Sequence, residues 1–289
     1  MRKVSLFAAI LLAFTSGARA QVTVSVDLGQ DQYLVGEPIQ VAVRIINRSG
    51  QALDLGSEAD WLTFSLESGD GNIVRQLQEV PVQGEFKLES AQRATKRVDI
   101  APYFVLDHVD RYKMTALVKI RQWGQELRSN PVSFDLIQGT KIWEQEFGVP
   151  HASATNTAPP EVRKYILQEA RYLRSGLRLY LKVTDASGTF VFKVSTVGPM
   201  LSFGGEEARL DKFSRLHVLY QNGPHSFSYS VFDPDGNLLT RQTYDYTSRP
   251  ELTEDRNGNT VVSGGVRDPR PDDFPVATTS KSDTPAPQP

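Results

Sequence analysis

The chain has 289 residues, 32 basic against 34 acidic side chains, and no cysteine. The near balance of charge gives no electrostatic case for nucleic acid or an anionic membrane surface as partner. Without thiols there are no disulfides, thiolate metal sites, Fe–S clusters or cysteine nucleophiles.

Residues 1–20 read as a secretory signal peptide. Arg2 and Lys3 give a positive start, Val4 to Phe14 an apolar core, and Ala18-Arg19-Ala20 a small-x-small cleavage site. The apolar run is shorter than the roughly 20 residues a membrane-spanning helix needs. The expectation is a secreted or periplasmic protein, cleaved after Ala20, with no lipid anchor at Gln21 and no membrane span.

Residues 21–138 alternate. Val22, Val24, Val26 and Leu28 are followed by Ile39, Val41, Val43 and Ile45, and then by Leu62, Phe64 and Leu66. Period two marks strands with one buried face. Turn signals at Val35-Gly36-Glu37-Pro38, Asn47-Arg48-Ser49-Gly50 and Ser68-Gly69-Asp70-Gly71-Asn72 separate them. Further strands are predicted at Ile73–Leu77, Phe86–Leu88, Thr95–Ile100, Tyr112–Ile120 and Pro131–Leu136, with a hairpin turn at Trp123-Gly124-Gln125-Glu126. Many short strands without a helical period predict a β-sandwich.

The stretch Gln30 to Gly50, with Tyr33, Gly36, Glu37, Ile39, Asn47 and Gly50, resembles the second and third strands of exported bacterial immunoglobulin-like modules, including macroglobulin-type and BsuPI proteinase-inhibitor-type domains. The segment Asp107 to Ala116 is similar to the tyrosine corner of such sandwiches, with Tyr112 bonding back to the preceding loop. Met114 stands where antibody domains carry a cysteine. The resemblance implies an immunoglobulin-like fold and, through its inhibitor members, a protein-binding role.

Residues 139–160, small, polar and ending in Pro159-Pro160, read as a linker. Residues 161–266 then hold a weak repeat. Tyr165 to Gly198 and His217 to Asp245 both run strand, break, strand, Asp-containing turn, strand. Asp185 and Asp233 stand 48 positions apart, as do Gly188 and Gly236. Such a unit has the size of a β-propeller blade. Two blades cannot close a ring of at least about four. The prediction is a second antiparallel β domain in which the two blade-like repeats stack as a sandwich or open sheet. Glu161–Gly176 is ambiguous: Val162, Tyr165, Ile166, Ala170 and Leu173 fall at helical spacing, whereas the repeat favours a strand. From residue 267 the chain is rich in Pro, Ser, Thr and Asp, predicting a disordered tail, either a plain spacer or a ligand for a proline-reading partner.

No catalytic, cofactor-binding or metal site is predicted. His108, His151, His217 and His225 form no His-x-x-x-His or His-Glu-x-x-His pattern, and no Gly-x-Ser-x-Gly elbow or phosphate loop is present. Glu206 and Glu207, adjacent on an extended chain, point to opposite faces and cannot flank one glycosidic bond. Asp233, Asp235 and Asn237 suggest calcium, but the EF-hand positions six and twelve hold Leu238 and Tyr244, so a hairpin turn is the expectation there and at Asp255 to Asn259. Trp61, Trp123, Trp143, Tyr229, Tyr244 and Tyr246 leave carbohydrate stacking open. The expected function is an exported, non-catalytic binding or scaffold protein of the cell envelope, with a protein or glycan partner. One alternative is an inhibitor of an extracellular peptidase acting through Gly69–Asn72 or Trp123–Glu126. A second is a propeller-like hydrolase fragment.

Overall fold

A computed structural model describes residues 22–149, 161–172 and 176–275. They are nearly all strand; the helical turns among them are the short 3-10 turns Ala101–Tyr103 and Arg121–Trp123. The signal segment 1–20, residues 150–160 of the predicted linker and residues 276–289 lie outside the described residues.

The first half contains β1 (Val22–Leu28), β2 (Gln32–Leu34), β3 (Gln40–Asn47), β4 (Leu53–Leu55), β5 (Leu62–Glu67), β6 (Phe86–Leu88), β7 (Arg93–Asp99), β8 (Arg111–Ile120), β9 (Gln125–Arg128) and β10 (Val132–Ile137). One sheet runs β1-β3-β7. The other runs β2-β10-β8-β5, with β9 paired to β8 and β2 parallel to β10; β4 and β6 form a small ribbon. The alternation explains the layering. Val41, Val43 and Ile45 of β3 turn one way into a core shared with Met114, Ala116, Val118 and Ile120 of β8, all fully buried. Each Val, Ile or Met among them contributes roughly 1.5–3 kcal/mol over its exposed state.

Buried Asn47 and Tyr112 of this half are bonded to nearby backbone. Asn47, fully buried, donates through Nδ2 to the carbonyls of Gln51 (2.7 Å) and Leu88 (2.9 Å), and its Oδ1 accepts from the Ser49 amide at 3.0 Å. Tyr112 OH donates to the His108 carbonyl at 3.1 Å. The predicted strand at Ile73–Leu77 is not formed. The chain there makes isolated bridges, Glu67 with Ile73 and Gln76 with Phe104, and leaves Ile73 and Leu77 exposed. It crosses the sheet edge instead of joining it.

The second half begins two residues after β10. It contains β11 (Thr140–Gly148), β12 (Val162–Tyr172), β13 (Gly176–Asp185), β14 (Val191–Pro199), β15 (Glu206–Leu210), β16 (Leu216–Gly223), β17 (Ser226–Phe232), β18 (Leu238–Asp245), β19 (Glu251–Glu254), β20 (Thr260–Ser263) and β21 (Val266–Arg267). The two repeats become two antiparallel meanders, β11-β12-β13-β14 and β15-β16-β17-β18, the latter extended by β21. They stack face to face. Tyr165, Leu167, Leu179, Leu181 and Val183 of one meet Leu216, Val218, Tyr220 and Phe232 of the other. The outer face of the second meander is covered by the β19–β20 hairpin, with Leu252 against Leu219, Phe227, Tyr229 and Val231.

Two expectations change here, and one ambiguity resolves. Residues 140–148, read as linker, form β11: the strand carries a bulge between Lys141 and Trp143 and several exposed charged residues, so it shows no clean alternation. Glu161–Gly176 contains a strand over Val162–Tyr172. Tyr165 and Leu167 face the inter-sheet core, while Ala170 and Tyr172 pack in a cluster with Leu34 of the first half. Burial on alternate faces along one strand mimics helical spacing. Finally, residues 268–275, read as tail, dock onto the second meander. Arg241 and Phe274 exchange backbone hydrogen bonds at 2.7 and 3.0 Å, and buried Asp273 pairs with Arg267.

Candidate functional site

The turn between β2 and β3, Val35-Gly36-Glu37-Pro38, carries the backbone toward the second half. Gly36 has φ +86°, a left-handed value that disfavours side chains, and a Cβ added there would lie 3.2 Å from Val194 Cγ2 of β14. The turn is thereby pressed against the outer face of the β11–β14 sheet. Leu34, Ala170, Tyr172, Tyr180 and Val194 form the apolar part of this joint.

Its polar centre is Glu37, 7% exposed. From the first half, the Leu34 amide donates to Oε2 at 2.8 Å and Gln30 Nε2 to Oε1 at 3.1 Å. From the second half, Tyr172 OH approaches Oε2 at 3.3 Å and Tyr180 OH approaches Oε1 at 3.4 Å, the two hydroxyls lying 2.6 Å apart. Burial pushes the Glu37 carboxyl above its ordinary value. The Leu34, Gln30 and Tyr172 hydrogen bonds and the Arg178 charge oppose that shift. Burial also raises Tyr172 and Tyr180, and lifts nearby Tyr33 to about 12.

Clefts surround the joint. One, of about 480 Å³, lies between Asp27–Asp31, Ser133, Tyr172 and Arg178. Another, of about 350 Å³, runs from Gly36 and Glu37 to Arg75, Leu77 and Asp107. A third, of about 420 Å³, is bounded by Pro38, Pro102 and Phe192, and a fourth, of about 290 Å³, by Leu34, Val109 and Lys182. Their rims carry large apolar side chains in water: Leu77 is 52% exposed, Val109 55% and Phe192 38%. Phe190, 60% exposed, packs edge-on against Phe192 at 4.9 Å, and Arg163 lies over the Phe192 ring at 4.2 Å.

The other residues singled out in the sequence have local partners. His217 Nδ1 meets Tyr229 OH at 2.7 Å, its Nε2 lies 3.4 Å from Asp211, and burial lowers its pKa. His108 pairs with Asp107, and exposed His225 accepts the Tyr246 amide through its carbonyl. His151 lies outside the described residues. Glu206 sits opposite Tyr220 and Glu207 opposite Leu219, so the pair divides between faces; Glu207 accepts the Leu252 amide at 2.8 Å. Asp233 accepts from the Asn237 amide (2.8 Å), Asn237 Nδ2 (2.9 Å) and the Asp235 amide (3.0 Å). Asp255 repeats that arrangement with Asn257 and Asn259. Both carboxylates thus cap their own turns, and no cluster of metal-ligating side chains occurs among the described residues. Trp61 Nε1 donates to the Val82 carbonyl at 2.8 Å, while Trp123 and Trp143 pack on the two cores. Tyr229 and Tyr244 lie in the outer-face cluster, and Tyr246, half exposed, stacks on Phe227. Gly69–Asn72 is a compact turn braced by Asp110, which accepts the Gly69 amide at 2.9 Å, and Gly124 closes the turn into β9.

Sequence reasoning placed Glu37 in a turn and missed it as a joint carboxylate. Its signal was an acidic residue held within an apolar strand-turn-strand run, beside a glycine.

No protein-family model and no curated protein matches this chain. Among solved structures, Spo0M, a sporulation control protein from Bacillus subtilis, is 11% identical, covering 62% of this chain and 89% of that one, with a TM-score of 0.30. So slight a likeness informs neither fold nor function. Among the described residues no helix is long and apolar enough to cross a membrane.

Proposed function

We propose that this chain is an exported, non-catalytic binding or scaffold protein of the cell envelope, and that its binding face is the joint between the two β halves. The observation that carries the reading is the set of exposed apolar side chains Leu77, Val109 and Phe192, each lining a cleft along the Leu34–Pro38 turn, with exposed Phe190 packed on Phe192. Apolar surface grouped this way, with a polar rim, is the mark of a contact site rather than of ordinary surface. Export rests on the pattern of residues 1–20, and a protein-binding role is in keeping with the immunoglobulin-like resemblance of Gln30 to Gly50.

The test is capture from envelope extract with residues 21–289 as bait, beside a Leu77→Asp/Phe192→Asp variant of the same length. Both positions are substantially exposed, so the variant keeps its fold. The expected result is a protein or glycan recovered by the natural sequence and lost by the variant. Recovery of the same material by both, or of nothing by either, would overturn the reading.

A further inference from the structure

We propose that Glu37 is a protonation-controlled latch between the two halves: the joint closes more firmly when the carboxyl is protonated and opens more often when it is ionised. The geometry carries this. One carboxyl, almost removed from water, is shared by donors from both halves, Leu34 and Gln30 on one side, Tyr172 and Tyr180 on the other. Opening the joint would strip away the tyrosines and return the group to water.

Removal from water fixes the sign, against the groups that face the carboxyl. From the first half, Tyr33 on β2 feels the Glu37 charge, and Arg75 and Asp107 line the cleft that reaches Glu37, together with apolar Ile39, Phe104 and Leu136. From the second half, Tyr172 on β12 and Tyr180 and Arg178 on β13 face it, and β14 contributes apolar Val194. Arg178 and the Leu34, Gln30 and Tyr172 donors favour the ionised form, but desolvation outweighs them, and the carboxyl is raised. In the open state the group regains its ordinary value near 4.5. The closed state therefore holds a proton at pH values where the open state has released it. The latch is fully effective below the ordinary value. It weakens as pH rises through the window up to the raised value, by at most about tenfold in the opening equilibrium per pH unit, and is level above that window.

Hydrogen–deuterium exchange on the full chain between pH 4.5 and 8, corrected for the intrinsic pH dependence of exchange, tests this. Peptides covering 32–39, 168–172 and 178–182 report the joint, and peptides in β8 and β16 report the two cores. The expected result is joint exchange that climbs from acid to neutral pH, by no more than about tenfold per pH unit, with flat cores. Glu37→Gln, which keeps shape and acceptor, should abolish the climb. Tyr172→Phe removes a donor to the ionised form and should move the window to higher pH. Equal pH dependence in the natural chain and Glu37→Gln, or no climb in the natural chain, overturns the proposal. Should Glu37→Gln fail to fold, an unmoved window in Tyr172→Phe overturns it instead.

Discussion

The two halves use the same material differently. In the first, β3 and β8 each turn one face to a core and the other toward water, so apolar and polar residues alternate cleanly. In the second, β12 and β13 are covered on both sides, by the opposing meander within and by the first half's Leu34–Glu37 turn without. Leu179, Tyr180, Leu181 and Val183 are all fully buried, and the alternation disappears. A period of two reveals a strand only where one side stays wet.

The comparison treats the halves as two cores meeting at a thin joint, and substitutions can break or sharpen it. The largest effect should come from Tyr165→Ala. Its ring stacks on Phe147 at 4.0 Å and its hydroxyl donates to the carbonyls of Asp233 (2.7 Å) and Ser214 (3.0 Å). The loss should cost the second half about 3–5 kcal/mol. Calorimetry should then show one transition falling steeply while the other stays in place. A single transition falling as a whole would mean the halves unfold as one unit, and the comparison would fail. Next comes Asn47→Ala, which strands the buried Leu88 carbonyl and the Gln51 carbonyl, and should cost the first half about 1–3 kcal/mol. The quenching change of Trp61 in urea should move to lower denaturant, with the second half's transition unmoved. Smallest are Asp233→Ala and Asp255→Ala, which remove caps from exposed turns. Each should lower the melting midpoint less than Asn47→Ala does, and neither should respond to added calcium; a calcium-dependent rise in the natural chain that either variant loses would reassign those turns as ion sites.

Legibility followed the same divide. Strands β1, β3, β5 and β8 could be read from alternation, and the Asn47 and Asp233 turns from their chemistry. Strand β6 was read at Phe86–Leu88, whereas β2, β4 and β9, of three or four residues, are too short to show any period. Strand β11 was hidden by a bulge and by charges along an open edge, where the Lys141–Glu144 pair keeps the strand polar. The docking of residues 268–275 was hidden because it rests on a few backbone bonds, Arg241 with Phe274 and Asp268 to Thr243, and on the Arg267–Asp273 pair, which composition does not register. Glu37 illustrates the general limit. A lone acid beside a glycine reads as a turn, and its partners, Tyr172 and Tyr180, stand more than 130 positions away.

Gln138 and Gly139 alone separate β10 from β11. Gly139 is itself wedged, since a Cβ there would sit 3.1 Å from Gln168 and 3.3 Å from Leu34. So short a tether keeps each half in the other's immediate neighbourhood, at an effective concentration on the order of millimolar or above. Parting is consequently a brief, recaptured excursion and never a dissociation. A partner wedging into the gap competes against an intramolecular rival, so its apparent affinity depends on how often that gap yawns.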